Sequence, residues 1–83
     1  MEIKVGRTYR CKRKKVFGIF DPVYDDREVL WISADESRVQ YNSPSIKFGR
    51  RFPTVAMEQF KKWAFNDVTD RLIGDSWEEY HGK

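Results

Sequence analysis

Apolar and polar residues alternate along much of the first half of the chain, a pattern typical of half-buried strands. Tyr9 and Cys11 alternate with polar residues over positions 8–12, and Val39 and Tyr41 do so over positions 38–42. Positions 28–33 carry apolar side chains, Trp31 among them, at both odd and even positions. This pattern predicts a central strand that is buried on both faces. The segments at positions 28–33 and 38–42 together predict a hairpin with a loop of about four residues.

The other segments of the first half predict shorter elements. Positions 16–20 predict a strand that stops at Pro22, because proline cannot donate a ladder hydrogen bond. Positions 21–28 are polar and turn-prone and predict a loop, whereas positions 46–48 predict a short strand. Gly6 precedes the first strand and predicts a tight bend there.

The periodicity changes from two to between three and four after Pro53, which indicates an amphipathic helix. Thr54 is the expected N-cap. The helix is expected to end at positions 66–67 or to continue to Leu72, and Gly74 stops it in either case. The apolar stripe consists of Met57, Phe60, Ala64 and Val68.

Taken together, these elements predict a mainly β (α+β) fold: a small SH3-like antiparallel barrel of four to five strands with a C-terminal α-helix. The length of 83 residues predicts one domain over positions 1–73, followed by an acidic, aromatic tail over positions 74–83. Because the longest apolar run has only four residues, at positions 29–32, no membrane span is expected. With no apolar signal core near the N-terminus and a single cysteine, a cytoplasmic location is expected.

Charge is divided into blocks along the chain, although the net charge is only +3. Positions 1–15 and 38–66 are strongly basic, whereas positions 16–37 and 67–83 are acidic. Such segregation allows a fold to present one positive and one negative face. Neutralisation between blocks on adjacent strands is the alternative.

The residue inventory argues against catalysis and against a bound metal. Nucleophilic catalysis needs a nucleophile held beside a base, but Cys11 is expected to be buried and His81 lies near the end of the chain. Zinc needs three or four ligands, which one cysteine and one histidine do not supply. We therefore expect no enzyme, no metal and no cofactor.

Nucleic acid is the leading expected partner, DNA or RNA, because clustered cations neutralise phosphates and release counterions. Exposed aromatic faces such as Tyr41 would add stacking on unpaired bases, although Trp31 is expected in the core. Each basic cluster also has an ordinary interpretation as a solvated surface. The candidate nucleic-acid-binding residues are Lys12, Arg13, Lys14, Lys15, Lys47, Arg50, Arg51, Lys61 and Lys62.

A protein partner is the alternative, because segregated charge also steers protein docking. Exposed aromatic residues would anchor such a partner, and the acidic blocks would imitate phosphates. The candidate partner-binding residues are Trp63, Phe65, Trp77 and Tyr80. A monomer or a weak homodimer is expected in either case.

Three segments resemble small uncharacterised accessory proteins of tailed bacteriophages and prophages: positions 5–9, positions 29–33 with 39–44, and positions 60–64 continuing into 67–69. The resemblance covers positions 4–70 and rests on packing motifs, so it implies a fold and no catalytic residue. It further implies a non-essential protein of early infection in the bacterial cytoplasm. Such proteins bind nucleic acid, or they bind a host or anti-phage defence protein as an inhibitor or adaptor.

Overall fold

Short antiparallel strands make up most of the regular structure in the computed structural model, which describes residues 1–74 and 76–82. One helix, α1 (Met57–Trp63), lies between the last two strands, and a 3-10 turn follows over Thr69–Arg71. The strands are β1 (Thr8–Cys11), β2 (Val16–Phe17), β3 (Val23–Tyr24), β4 (Arg27–Ile32), β5 (Arg38–Asn42), β6 (Thr54–Ala56) and β7 (Ala64–Asp67).

Five of the strands form one antiparallel sheet in the order β6-β5-β4-β1-β7, and β2 and β3 form a separate two-stranded sheet. The prediction of a mainly β fold with a small helix is therefore confirmed. Within residues 1–74 and 76–82 the outer strands β6 and β7 do not pair with each other. The sheet is open, so the predicted SH3-like barrel is not confirmed.

The core lies between one face of this sheet and α1. Phe60 on α1 has 0% of its surface exposed. Its ring packs edge-on against Tyr9 of β1, with ring centroids 5.8 Å apart, and lies 5.9 Å from Tyr41 of β5. Val29 and Val39 of the two central strands complete the apolar surface beneath it. The alternation predicted for β1 and β5 thus correctly identified Tyr9 and Val39 as inward-facing.

The predicted helix is wrong in extent, because only its middle is helical. Thr54 belongs to β6 and is not the N-cap; Ala56 takes that place without a side-chain hydrogen bond. Val55 pairs with Val39, and Ala64 pairs with Cys11 on the far side of the sheet. On either side of α1 the chain therefore pairs with the sheet as a strand instead of continuing as helix. α1 is the short segment that crosses from β6 to β7.

Three further predictions for the first half and the following loop are wrong. The predicted strand 16–20 keeps only β2, and Ile19 and Phe20 are almost fully exposed. The predicted loop 21–28 contains β3 and the start of β4. The predicted strand 46–48 is instead two successive turns, in which Ile46 N–H donates to the Ser43 carbonyl (3.2 Å) and Arg50 N–H to the Lys47 carbonyl (3.0 Å).

Trp31 is not a core residue, and a β-bulge is the reason. Val29 pairs with Tyr41 but Trp31 pairs with Gln40, so the register shifts at Leu30. One extra residue in a strand turns the following side chains to the opposite faces. Trp31 is accordingly 47% exposed, although β4 is central in the sheet as predicted.

A buried ion pair lies on the face of β1 that points away from α1. Arg10 and Asp26 are 4% and 0% exposed and share two hydrogen bonds of 2.8 Å. The same guanidinium donates to Glu78 (2.7 Å) and lies 3.7 Å from the centre of the Tyr24 ring. Burial lowers the pKa of Arg10, but hydrogen bonds and charge from Asp26 and Glu78 outweigh this effect and raise it. The guanidinium therefore stays charged in a fully partnered site.

The main chain near the C-terminus extends the β2–β3 sheet and covers this ion pair. Tyr24 N–H donates to the Glu78 carbonyl (3.0 Å), and Tyr80 N–H donates to the Pro22 carbonyl (2.9 Å). Of the predicted tail, Asp75 and Lys83 lie outside the described residues. The predicted boundary at position 74 stays a prediction. No helix within residues 1–74 and 76–82 is long and apolar enough to span a bilayer.

Asp67 and Asp35 lie at the end of the sheet where β7 ends, and their pKa values predict how the stability of the fold responds to acid. Burial raises the pKa of Asp67, but hydrogen bonds from Arg7 and Thr69 outweigh it, so this pKa is lowered. Hydrogen bonds from Ser37 and Ser33 lower the pKa of Asp35 to about 2. A carboxyl whose pKa is lower in the folded state stabilises the fold above its unfolded pKa, and this contribution is lost in acid.

We therefore expect the urea midpoint to fall as pH decreases from the ordinary aspartate value of 3.8 towards 2. Asp67→Asn is expected to make that fall shallower, because the substituted side chain no longer titrates. Urea titrations at several pH values, followed by tryptophan fluorescence, measure the effect. A profile for Asp67→Asn that runs parallel to the parent profile would contradict it.

Candidate nucleic-acid interface

The strand register brings the three predicted basic clusters to one end of the sheet. Tyr9 of β1 is opposite Arg27 of β4, so β1 ends where β4 begins. By the same pairing β5 ends at this end, and β6 and β7 begin there. Neighbouring strands lie about 4.8 Å apart, which puts the outer two of five strands within roughly 20 Å.

We call this region the basic end, and define it by the cations on the segments that enter or leave these strands. Nine of them are exposed, and the tenth, Arg27, is half-buried with its guanidinium 4.4 Å from the Tyr41 ring and 4.1 Å from the Trp63 ring. Within residues 1–74 and 76–82, none of the ten lies within 4.0 Å of a carboxylate. The basic end comprises Lys12, Arg13, Lys14, Lys15, Arg27, Lys47, Arg50, Arg51, Lys61 and Lys62.

Carboxylates lie at both ends of the sheet, but cations outnumber them at the basic end. Arg10 pairs with both Asp26 and Glu78, and further carboxylates near the basic end include Asp21, Asp25 and Glu28, which follows Arg27 and lies opposite Asn42. The β4–β5 turn, the end of β7 and the segment after it occupy the opposite end, with the carboxylates of Asp35, Glu36, Asp67 and Asp70, of which the last two pair with Arg7. The charge segregation seen along the sequence thus becomes a polarity along the strands, and positive charge concentrates at one end.

The loop carrying the first cluster, residues 12–15, is fixed at both of its ends. The Cys11 thiol donates to the Arg13 carbonyl, and Asp25 N–H donates to the Lys15 carbonyl (2.8 Å). Lys12 extends across β7, with its ammonium nitrogen 5.8 Å from the centre of the Phe65 ring. The backbone therefore holds this cluster beside the end of α1, where the exposed Lys61 and Lys62 lie.

The loop carrying the second cluster, residues 43–53, is likewise held at its base. Tyr41 N–H donates to the Pro53 carbonyl (3.2 Å), and Ser45 N–H donates to a carboxylate oxygen of Asp25 (3.3 Å). Gly49 has a φ of +83° within the second turn, a conformation that glycine adopts without steric cost. This turn projects Phe48 from the loop, and its side chain is fully exposed.

A groove of about 550 Å³ runs along this loop. Its wall combines two cations, Lys47 and Arg50, with three aromatic side chains, Phe48, Phe52 and Trp77. We call it the loop groove; its remaining lining residues are Asn42, Ser43, Pro44, Ile46 and Gly49. The loop groove thus brings together residues from both predicted sets. Lys47 and Arg50 were predicted to bind nucleic acid, whereas Trp77 was predicted to bind a protein partner.

The other three predicted partner-binding residues do not form one surface. Trp63 is half-buried against the core, and Tyr80 packs edge-on against Tyr24, with centroids 5.4 Å apart. Phe65 is 58% exposed, because the register shift between β1 and β7 makes it the extra residue of a bulge. Trp63, Trp77 and Tyr80 were expected to be exposed and are half-buried.

Sequence reasoning missed Arg27, Phe48 and Phe52. Phe48 was assigned to a strand, yet it lies between Lys47 and Gly49, and Phe52 directly follows Arg51. An aromatic residue flanked by cations in a turn-rich segment was the available signal. Arg27 carried no comparable signal, because its position over Tyr41 depends on the pairing of β4 with β5.

Three or more His, Cys, Asp or Glu side chains arranged to hold a metal ion do not occur in the part of the chain that the structure describes. Comparison of the chain with protein families, with curated proteins and with solved structures finds no match. The case for a function therefore rests on the basic end and the loop groove.

Proposed function

We propose that this protein is a non-catalytic nucleic-acid-binding module that contacts the phosphate backbone through its basic end. The observation that carries the proposal is the convergence of ten cations, from four separate chain segments, on one end of the sheet. Binding of this kind does not require a closed SH3-like barrel, because an open sheet presents the same loops.

The physical basis is the release of counterions. Cations without carboxylate partners break no ion pair when they contact phosphates. Each neutralised phosphate releases bound counterions to the solvent. Asp25 holds both loops, since its N–H donates to the Lys15 carbonyl of the 12–15 loop and its carboxylate accepts from the Ser45 N–H of the 43–53 loop, so few loop conformations are lost on binding. These features favour an affinity for polyphosphate backbones that is strong at low salt and falls as salt rises.

Charge reversal at the basic end tests the proposal. We expect Lys14→Glu combined with Arg50→Glu to weaken binding to a labelled oligonucleotide and to reduce the slope of log K against log[salt] by at least about 2, roughly 1 per lost phosphate contact. Fluorescence anisotropy over a series of salt concentrations measures both quantities.

The matched control reverses two cations at the opposite end, Lys4→Glu combined with Arg38→Glu, and gives the same net charge. Both residues are exposed, so the fold is expected to survive. The control is expected to retain most of the parent affinity and slope. Equal losses in the two double variants would show that net charge, not the basic end, governs binding, and no salt-dependent binding by the parent protein would overturn the proposal.

A protein partner remains the second candidate, and the β2–β3 hairpin favours it. Phe17, Ile19 and Phe20 are all exposed there, and exposed apolar clusters mark interaction surfaces. If an inhibitor or adaptor function is correct, a complex with one host or defence protein persists in nuclease-treated extract. Such a complex is expected to depend on Ile19 and Phe20 and to survive charge reversal at Lys14 and Arg50. The bacteriophage origin implied by the resemblance is part of this second proposal.

A further inference from the structure

We propose that the loop groove accepts an unpaired nucleobase, so that the basic end binds single-stranded rather than double-stranded nucleic acid. This inference rests on the proposed function and specifies its substrate class. The features that carry it are the aromatic side chains of the groove and their position beside cations that have no carboxylate partner.

The groove presents aromatic faces that the fold itself does not use. Phe48 is fully exposed and Phe52 is 41% exposed, whereas Phe60 already supplies the aromatic centre of the core. Trp77 approaches the same groove from the segment that follows the 3-10 turn. Aromatic rings of this kind stack on unpaired bases with little sequence preference, because every base has a π-face.

The cations are placed to hold the backbone on either side of a stacked base. Lys47 and Arg50 are the first and last residues of the turn that carries Phe48, and the Arg50 N–H donates to the Lys47 carbonyl across it (3.0 Å). A base stacked on Phe48 is therefore flanked by the two cations that begin and end the same turn. Asn42 in the groove wall supplies an amide for the base edge.

Duplex nucleic acid does not satisfy this arrangement. Its bases are stacked on one another, and only their edges are accessible in the grooves. A volume of about 550 Å³ lies within the usual range for small-ligand sites, roughly 300–1,000 Å³. That volume suits a nucleotide turned out of a stack and does not admit a helix. A duplex is therefore left with phosphate contacts alone.

The test compares one labelled 12-nucleotide DNA strand of mixed sequence with the same strand annealed to its complement. We expect the parent protein to bind the single strand more tightly. Phe48→Ala is expected to weaken single-strand binding about 5- to 150-fold, the equivalent of stacking on one base, and to change duplex binding less than about twofold. Phe48→Leu is expected to behave like Phe48→Ala, since leucine keeps apolar bulk but has no π-face.

Tryptophan fluorescence provides an independent readout of the same groove. Stacking on Trp77 is expected to quench the emission of the parent protein as the single strand is added, and Trp77→Phe is expected to remove most of that quenching. Phe20→Ala is the matched control, because Phe20 is an exposed phenylalanine outside the groove. It is expected to leave affinity for both probes unchanged.

The outcomes separate this inference from the proposed function. Equal binding of both probes, insensitive to Phe48→Ala but abolished by Lys14→Glu with Arg50→Glu, would overturn the stacking site and leave the nucleic-acid proposal intact. Absence of salt-dependent binding to either probe would overturn both. Full affinity in Phe48→Leu would contradict stacking and assign the groove a purely apolar contact.

Discussion

Asp26→Ala is expected to lower the free energy of unfolding by about 3–5 kcal/mol, the usual cost of leaving one partner of a buried ion pair unpaired. Asp26 is fully buried, and its two oxygens accept both 2.8 Å hydrogen bonds from Arg10. Without Asp26, the buried guanidinium keeps only Glu78 as a carboxylate partner. Typical stabilities of 0.05–0.15 kcal/mol per residue give a total of about 4–12 kcal/mol for a chain of this length, so this loss is a large fraction of the total.

Urea unfolding followed by tryptophan fluorescence measures this loss, and Asp21→Ala is its matched control. Asp21 is an exposed carboxylate, so its removal is expected to change stability by less than about 0.5 kcal/mol. Replacing both partners, Arg10→Met with Asp26→Leu, is expected to recover much of the loss, because no fully buried charge is left unpaired and Glu78, which loses its hydrogen bond from Arg10, is partly exposed to solvent. A double variant no more stable than Asp26→Ala, or equal losses for Asp26→Ala and Asp21→Ala, would contradict this account.

Phe60→Ala is expected to cost about 3–5 kcal/mol, because it removes the central ring of the core and leaves a cavity. The Phe60 ring contacts those of Tyr9, Tyr41 and Trp63, with centroids 5.4–5.9 Å apart. These rings belong to β1, β5 and α1, so the cavity loosens the helix from the sheet. Phe60→Leu keeps part of the volume and is expected to cost less.

Phe48→Ala provides the matched comparison for Phe60→Ala, since one ring is fully exposed and the other fully buried. Its effect on the free energy of unfolding is expected to be within about 0.5 kcal/mol, whereas its effect on single-strand binding is large. Phe60→Ala is expected to show the reverse pattern under conditions where the variant remains folded. A stability loss for Phe48→Ala as large as that for Phe60→Ala would assign Phe48 to the fold and not to the interface.

The parts of the fold that sequence periodicity predicted correctly are those where local pattern and tertiary pairing agree. Tyr9 and Val39 face the core on β1 and β5, as alternation predicted, because the extra residues of the two bulges belong to the partner strands β7 and β4 and leave the alternation of β1 and β5 uninterrupted. The helix prediction failed because spacing by three or four residues describes Met57 and Phe60 on α1 but also, by coincidence, Ala64 and Val68 beyond its end. Long-range pairing to the sheet edges determined where α1 stops.

The bulges are the features that no local pattern revealed. The extra residue at Leu30 turns Trp31 outward and Ile32 towards the core, and the extra residue at Phe65 exposes that ring. A strand partner is needed to define a bulge, and the partner is not visible in the strand's own sequence. Consequently burial was misassigned for Trp31 although the strand itself was predicted correctly.

The composition of the candidate site was predicted better than its geometry. Nine of the ten cations of the basic end were named from their clustering in the sequence, but their convergence depends on which strands are neighbours. The loop groove could not be anticipated, because Trp77 follows Phe52 by 25 positions and joins it only through the fold. Local composition therefore identified the chemistry, and topology determined the site.

The contact between Arg10 and Glu78 also constrains when the chain completes its fold during synthesis. The two residues are 68 positions apart, and ribosomes add about 5–20 residues per second. For roughly 3–14 s after Arg10 is made, β4 and Asp26 can join it but Glu78 does not yet exist, and β1 lacks its second neighbour for most of that time. The nascent chain thus carries an open edge on β1 that β7 covers in the finished sheet, and it is most vulnerable to misassociation before β7 is translated.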